Sequence, residues 1–145
     1  MRVCRVVDNF PLGREIVGGL GPNWYYYSKL SVERGIDVHV VCGKSKGQPA
    51  EEDVEGIKIH RVSSSEGHRS SLYGEFAKRC METVLEIDPD LIHGHNAYHI
   101  SLVMWRKKIK IPLITHLHLS VDLDLYIDKL PLGFDLSRAL RDRLY

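Results

Sequence analysis

The sequence predicts an α/β fold, a doubly wound parallel sheet with helices on both faces, in one domain over residues 1–145. Three observations predict it. Short β-branched runs alternate along the chain with stripes of helical period, the signature of successive βαβ units. The run Val38-His39-Val40-Val41-Cys42 is almost continuously apolar, as a strand buried on both faces requires. Leu72, Phe76, Cys80 and Val84 step by four, and Tyr73, Ala77, Met81 and Leu85 widen that stripe into one broad helical face.

Each element follows from local residues. Val3-Cys4-Arg5-Val6-Val7 is the first strand, short and β-branched. A loop from Asp8 to Gly21 holds Pro11, Gly13, Gly18 and Gly19. Pro22 opens the first helix, where a missing N–H costs nothing. Trp24, Tyr27 and Leu30 recur along it at helical spacing, with Trp24 and Tyr27 expected in the core, and Gly35 is its left-handed cap. The second strand is Val38 to Cys42. Gly43 to Gly56 is polar, carries Glu51-Glu52-Asp53, and reads as a surface connection.

Ile57, Ile59 and Val62 give a third strand. After the helical stripe, Asp88-Pro89 ends the helix, because the residue before proline avoids helical dihedrals. Leu91 to His95 is the fourth strand, Ala97 to Lys107 a helix, and Leu113 to His118 a fifth strand opened by Pro112. Leu136, Leu140 and Leu144 form a last helical stripe with Asp135 as its cap. Right-handed crossovers favour the strand order 3-2-1-4-5. Ligands in such sheets bind beyond the carboxyl ends of the strands where the order reverses, here between the first and fourth strands.

Composition narrows the function. A formal net charge of +1 leaves no basic field for nucleic acid. No apolar run approaches ~20 residues, so no transmembrane segment is expected. The start Met1-Arg2-Val3-Cys4 enters a strand directly, without a leader's apolar region. Cys4, Cys42 and Cys80 are an odd, widely spaced set and read as reduced, buried thiols of a cytoplasmic protein.

Two groups carry candidate chemistry. Gly18-Gly19-Leu20-Gly21 precedes the first helix, so its backbone can approach a ligand closely and its N–H groups with the helix dipole suit a phosphate. A turn that needs glycine only for its shape would look the same. A dinucleotide fingerprint is excluded, because Trp24 stands where the third glycine belongs. The second group is histidine. His93 and His95, like His116 and His118, are two apart and so share a strand face. Neighbouring strands would bring the pairs together at the crevice. Three readings stand: a zinc site, disfavoured because no carboxylate or cysteine has helpful spacing; sugar recognition or catalysis; and structural histidines bonded to backbone.

Read in order, these residues resemble a family. The paired glycines, then Glu33-Arg34-Gly35-Ile36-Asp37-Val38-His39-Val40-Val41, resemble the opening of glycosyltransferase 4 enzymes. These share the GT-B fold with the glycogen synthase-like group. Glu55-Gly56-Ile57-Lys58-Ile59-His60-Arg61-Val62 is similar to a strand of that family. Pro89-Asp90-Leu91-Ile92-His93-Gly94-His95-Asn96 resembles its Pro-Asp-x-x-His-x-His element, and Ile111 to His118 its Ile-Pro-x-x-x-Thr-x-His strand. Each motif is weak alone; four in order are specific.

The resemblance implies a Rossmann-like amino-terminal half of a GT-B architecture. That half binds a sugar or glycolipid acceptor and borders the cleft. A carboxyl-terminal half would hold a nucleotide-sugar, a co-substrate rather than a cofactor. Transfer would be retaining, without an essential metal. Gly18 and Gly19 would approach the donor diphosphate. His95 is similar to the active-site histidine that contacts the transferred sugar; His118 and Asn96 would line the acceptor side. Ile16 stands where polysaccharide synthases have lysine, which argues against that substrate class. The chain stops at Tyr145, before the donor domain, so an incomplete enzyme is expected: inactive alone, and completed by a partner or by self-association through an open sheet edge. The alternative is a stand-alone carbohydrate-binding or regulatory module without catalysis.

Overall fold

The computed structural model describes residues 1–7, 10, 21–63, 75–95 and 108–116. In chain order the elements are β1 (Arg2–Val6), α1 (Gly21–Glu33), β2 (Asp37–Lys44), β3 (Glu51–Val54), β4 (Ile57–Ser63), α2 (Glu75–Ile87), β5 (Leu91–His95) and β6 (Leu113–His116). They build one sheet in the order β3-β4-β2-β1-β5-β6. The five strands expected from the sequence are β1, β2, β4, β5 and β6. They stand in the expected order and pair in parallel throughout. The helix expected over 97–107 and the stripe of Leu136, Leu140 and Leu144 lie outside the described residues. No described helix is long and apolar enough to cross a membrane.

One element corrects the sequence reading. The acidic stretch assigned to a surface connection contains β3, an antiparallel edge strand on β4. Glu55 and Gly56 both have positive φ, 52° and 81°, which gives a two-residue connection the twist that hairpin strands need. Asp53 accepts the Gly56 N–H at 3.0 Å and pins that turn. Glu52 accepts a bond from Arg61 at 2.7 Å, so the acidic run is held by a buried guanidinium.

Alternation along the strands sorts two cores. On one face Cys4, Val6, Val41 and Ile92 meet Phe76, Ala77, Cys80, Met81, Val84 and Ile87 of α2. On the other, Val7, Val38, Val40, Cys42, Ile57 and Ile59 meet Phe10 and Trp24 of the α1 side. Of the expected stripe, Phe76, Ala77, Cys80, Met81 and Val84 are buried and Leu85 faces outward, while Leu72 and Tyr73 lie outside the described residues. On α1, Trp24 is buried, but Tyr27 and Leu30 are exposed. The inward positions are Trp24 and Ser28, four apart, with Val32 partly buried beyond them. Gly35 has φ 76°, the left-handed cap that the sequence required. All three cysteines are buried thiols.

At the amino-terminal ends of the strands, Arg2 ties three elements together. Its side chain bonds Asp37 of β2 at 2.9 Å and donates to the Ile87 carbonyl that ends α2 at 2.7 Å. Lys58 of β4 donates to the other Asp37 oxygen at 2.8 Å. The two cations hold the Asp37 carboxyl well below the usual carboxylate range.

Candidate functional site

Strand order reverses between β1 and β5, with β2 and β4 on one side and β6 on the other. In register Val6 lies beside Gly94, so β1 ends where β5 reaches His95. His95 is the last residue of β5 and stands opposite His116, the last residue of β6. The His93 and His116 rings stack, with centroids 6.1 Å apart and planes 6° from parallel. Three histidines from the two expected motifs are therefore brought together at the carboxyl ends of adjacent strands. The stacked His93 and His116 imidazoles offer donors and acceptors of the kind that sugar hydroxyls need.

The helix wall of the site begins at Gly21, followed by Pro22, so α1 starts directly after the Gly18-Gly19-Leu20 stretch. Gly18, Gly19, Asn96 and His118 lie outside the described residues.

Sequence reasoning missed Arg5. It stands opposite His93 in the β1–β5 register and is buried at 6% exposure. Its guanidinium donates to Ser28 Oγ at 2.6 Å and to Ser31 Oγ at 2.8 Å, both on α1. Ser31 Oγ in turn donates to the Tyr27 carbonyl at 2.6 Å. No carboxylate pairs with Arg5 among the described residues, and its Nε has no hydrogen-bond partner. Burial without a counter-ion lowers its pKa to about 10. The signal was present: a charged residue inside a β-branched strand, with serines three apart on the following helix. The link fixes the second half of α1 against the central strand β1.

A mostly parallel sheet with this switch point and helices on both faces is a Rossmann-like domain, similar to one half of a GT-B glycosyltransferase. Among solved structures, a sucrose-phosphate synthase from Thermosynechococcus elongatus is similar in fold, with a TM-score of 0.65 at 13% identity. That likeness covers 99% of this chain and 39% of the synthase, so the chain spans about two-fifths of that structure's length. The profile of Glycosyltransferase Family 4 matches residues 17–145, and the chain belongs to this family. No curated protein sequence matches it.

Proposed function

We propose that this chain is the acceptor-side half of a retaining glycosyltransferase that draws on a nucleotide-sugar, and that a second Rossmann-like domain carries the donor. Family membership and the 39% share of the synthase-like structure support the division of labour. The observation that carries the site is the register of His95 with His116, beside the stacked His93, at the point where strand order reverses.

In this reading His95 contacts the transferred sugar, and His118 and Asn96 border the acceptor, a sugar or glycolipid. The Gly18-Gly19 backbone approaches the donor diphosphate. Catalysis is positioning of two substrates plus electrostatic stabilisation of the leaving diphosphate by fixed N–H dipoles. The donor is a co-substrate, and the chain itself needs no further cofactor. Buried, reduced thiols fit a cytoplasmic setting. β6 is the outermost described strand on its side, with Ile114 exposed, and we expect it to pair with further polypeptide, from a partner or a second copy.

The test is reconstitution. The chain is mixed or fused with the donor-binding domain of a Family 4 enzyme and assayed for sugar transfer from nucleotide-sugars to glycan acceptors. Transfer is expected only with both halves, and His95→Ala is expected to abolish it while leaving the circular dichroism spectrum unchanged. Turnover by the chain alone, or full activity in His95→Ala, overturns the proposal.

A further inference from the structure

Arg5 and His93 share a face of the sheet as well as a register position. Arg5 bonds Ser28 and Ser31 of α1, so its side chain lies on the α1 side. Ile92 packs in the α2-side core, so alternation puts His93 on the α1 side too. The two residues are partners in the parallel β1–β5 ladder, whose strands stand about 4.8 Å apart. His93 in turn stacks on His116 of β6. A chain of side chains thus runs outward over three strands: Arg5 is buried, His93 half-buried and His116 exposed.

The charge at the inner end of this chain is not cancelled nearby. The Arg5 guanidinium meets two neutral hydroxyls, and no carboxylate pairs with it among the described residues. Its other register partner is the buried Val40 of β2. The charged side chains of α1 are engaged elsewhere or face water: Lys29 pairs with Glu55, Arg34 donates to the Leu30 carbonyl, and Glu33 is exposed. Toward His93 the described titratable neighbours are therefore Arg5 from β1 and His116 from β6. Salt and water screen a buried charge far less than a surface one, and a fixed positive charge beside an imidazole disfavours its protonation. An apolar side chain would fasten α1 to β1 without the desolvation cost of a guanidinium, so fastening alone does not account for Arg5.

We propose that Arg5 is a positioning residue for the crevice: its fixed charge keeps the His93 imidazole uncharged, so that the His93–His116 stack meets the hydroxyls of the acceptor sugar as a hydrogen-bond acceptor. The purpose of this device rests on the sugar-transfer reading; the electrostatic relation does not. A neutral imidazole offers one bare nitrogen and one N–H, whereas an imidazolium offers donors only. Arg5 itself, buried under α1 and bonded to its serines, acts through His93.

Histidine-ring NMR of the 145-residue chain, followed between about pH 5 and 8 where imidazoles titrate, tests this. In the unaltered protein His93 is expected to titrate below the ordinary imidazole value of about 6.5. Arg5→Met is expected to raise the His93 midpoint by about one pH unit, the low end for loss of an adjacent charge. Ser28→Ala cuts the tie to α1 but keeps the charge, and is expected to leave the His93 midpoint in place. His39 and His60, bonded to each other at 3.0 Å on the opposite face, are the internal reference and are expected to move far less. A His93 midpoint at or above the ordinary value in the unaltered protein overturns the proposal, whether or not Arg5→Met folds. So does a midpoint that Arg5→Met leaves unchanged, one that follows Ser28→Ala instead, or equal shifts at His39 and His93. Sugar transfer enters none of these readouts, so a failed reconstitution counts against the proposed function while the titration still decides the role of Arg5.

Discussion

Arg5 of β1 donates to Ser28 Oγ of α1 at 2.6 Å, inside the protein and with no carboxylate to balance the charge among the described residues. A guanidinium in that position keeps only what its hydroxyl partners return. Removing one partner leaves a buried donor unsatisfied, whereas removing the charge relieves its desolvation. Ser28→Ala is therefore expected to cost about 1.5–3 kcal/mol, the range for hydrogen bonds to charged groups. Arg5→Met, similar in length and apolar, is expected to be near neutral, and in that background Ser28→Ala should lose most of its effect. Urea unfolding of the two single variants and the double variant measures the coupling. Simple additivity would show that the 2.6 Å contact contributes nothing.

The β3–β4 turn supplies a second test. Gly56 has φ 81°, and a Cβ added there would lie 2.9 Å from Val32 Cγ1 of α1. Left-handed backbone costs an L-residue about 1–2 kcal/mol, and the methyl contact adds to that. Gly56→Ala is expected to lower stability by at least this amount and to loosen the hairpin where it meets α1. Hydrogen exchange at Glu51–Val54 should rise with it. A thermal midpoint equal to the parent's would mean that the turn relaxes freely.

How much of this was legible in the sequence depends on what each residue is asked to do. The five parallel strands and their order followed from apolar runs such as Val38–Cys42, because a strand buried on both faces has no choice of composition. The histidine row followed from the spacing of His93, His95 and His116, because a period of two fixes the face. β3 did not follow. Glu51, Glu52 and Asp53 have low strand propensity, and what holds them is nonlocal: Glu52 on Arg61, and the His60 ladder partner of Glu51. His39 and His60 were illegible as a pair for the same reason, since 21 residues separate them and only the β2–β4 register joins them. Tyr27 misled because aromatic residues at helical spacing suggest a core, while the sheet beneath needed Ser28 for Arg5.

That correction is itself measurable. Trp24 is 5% exposed and Tyr27 51% on the same helix, three residues apart. Trp24→Ala is expected to cost about 3–5 kcal/mol, as truncation of a buried aromatic does. Tyr27→Ala is expected to stay within about 0.5 kcal/mol of the parent, as surface changes do. Chemical denaturation of both variants decides it, and equal losses would place Tyr27 in the core after all.

The last prediction concerns alkaline pH. Burial in the sheet core pushes the Cys4 thiol up to about 12 and the Cys42 thiol up to about 11. In the unfolded chain both would ionise near the ordinary thiol value of about 8.5–9. Between those values the unfolded state has lost protons that the folded state keeps, so stability falls as pH rises. The contribution is fully present below about pH 8.5 and is lost progressively above it, at up to about 1.4 kcal/mol per pH unit for each thiol. The slope ends for Cys42 near 11 and for Cys4 near 12. Denaturation midpoints measured from neutral pH upward under reducing conditions should decline from about pH 9. Cys42→Ala, which removes a titrating group at little change in volume, should flatten roughly half of that decline. A profile that is level to pH 10, or one that Cys42→Ala leaves unchanged, would mean that the thiols reach water without unfolding.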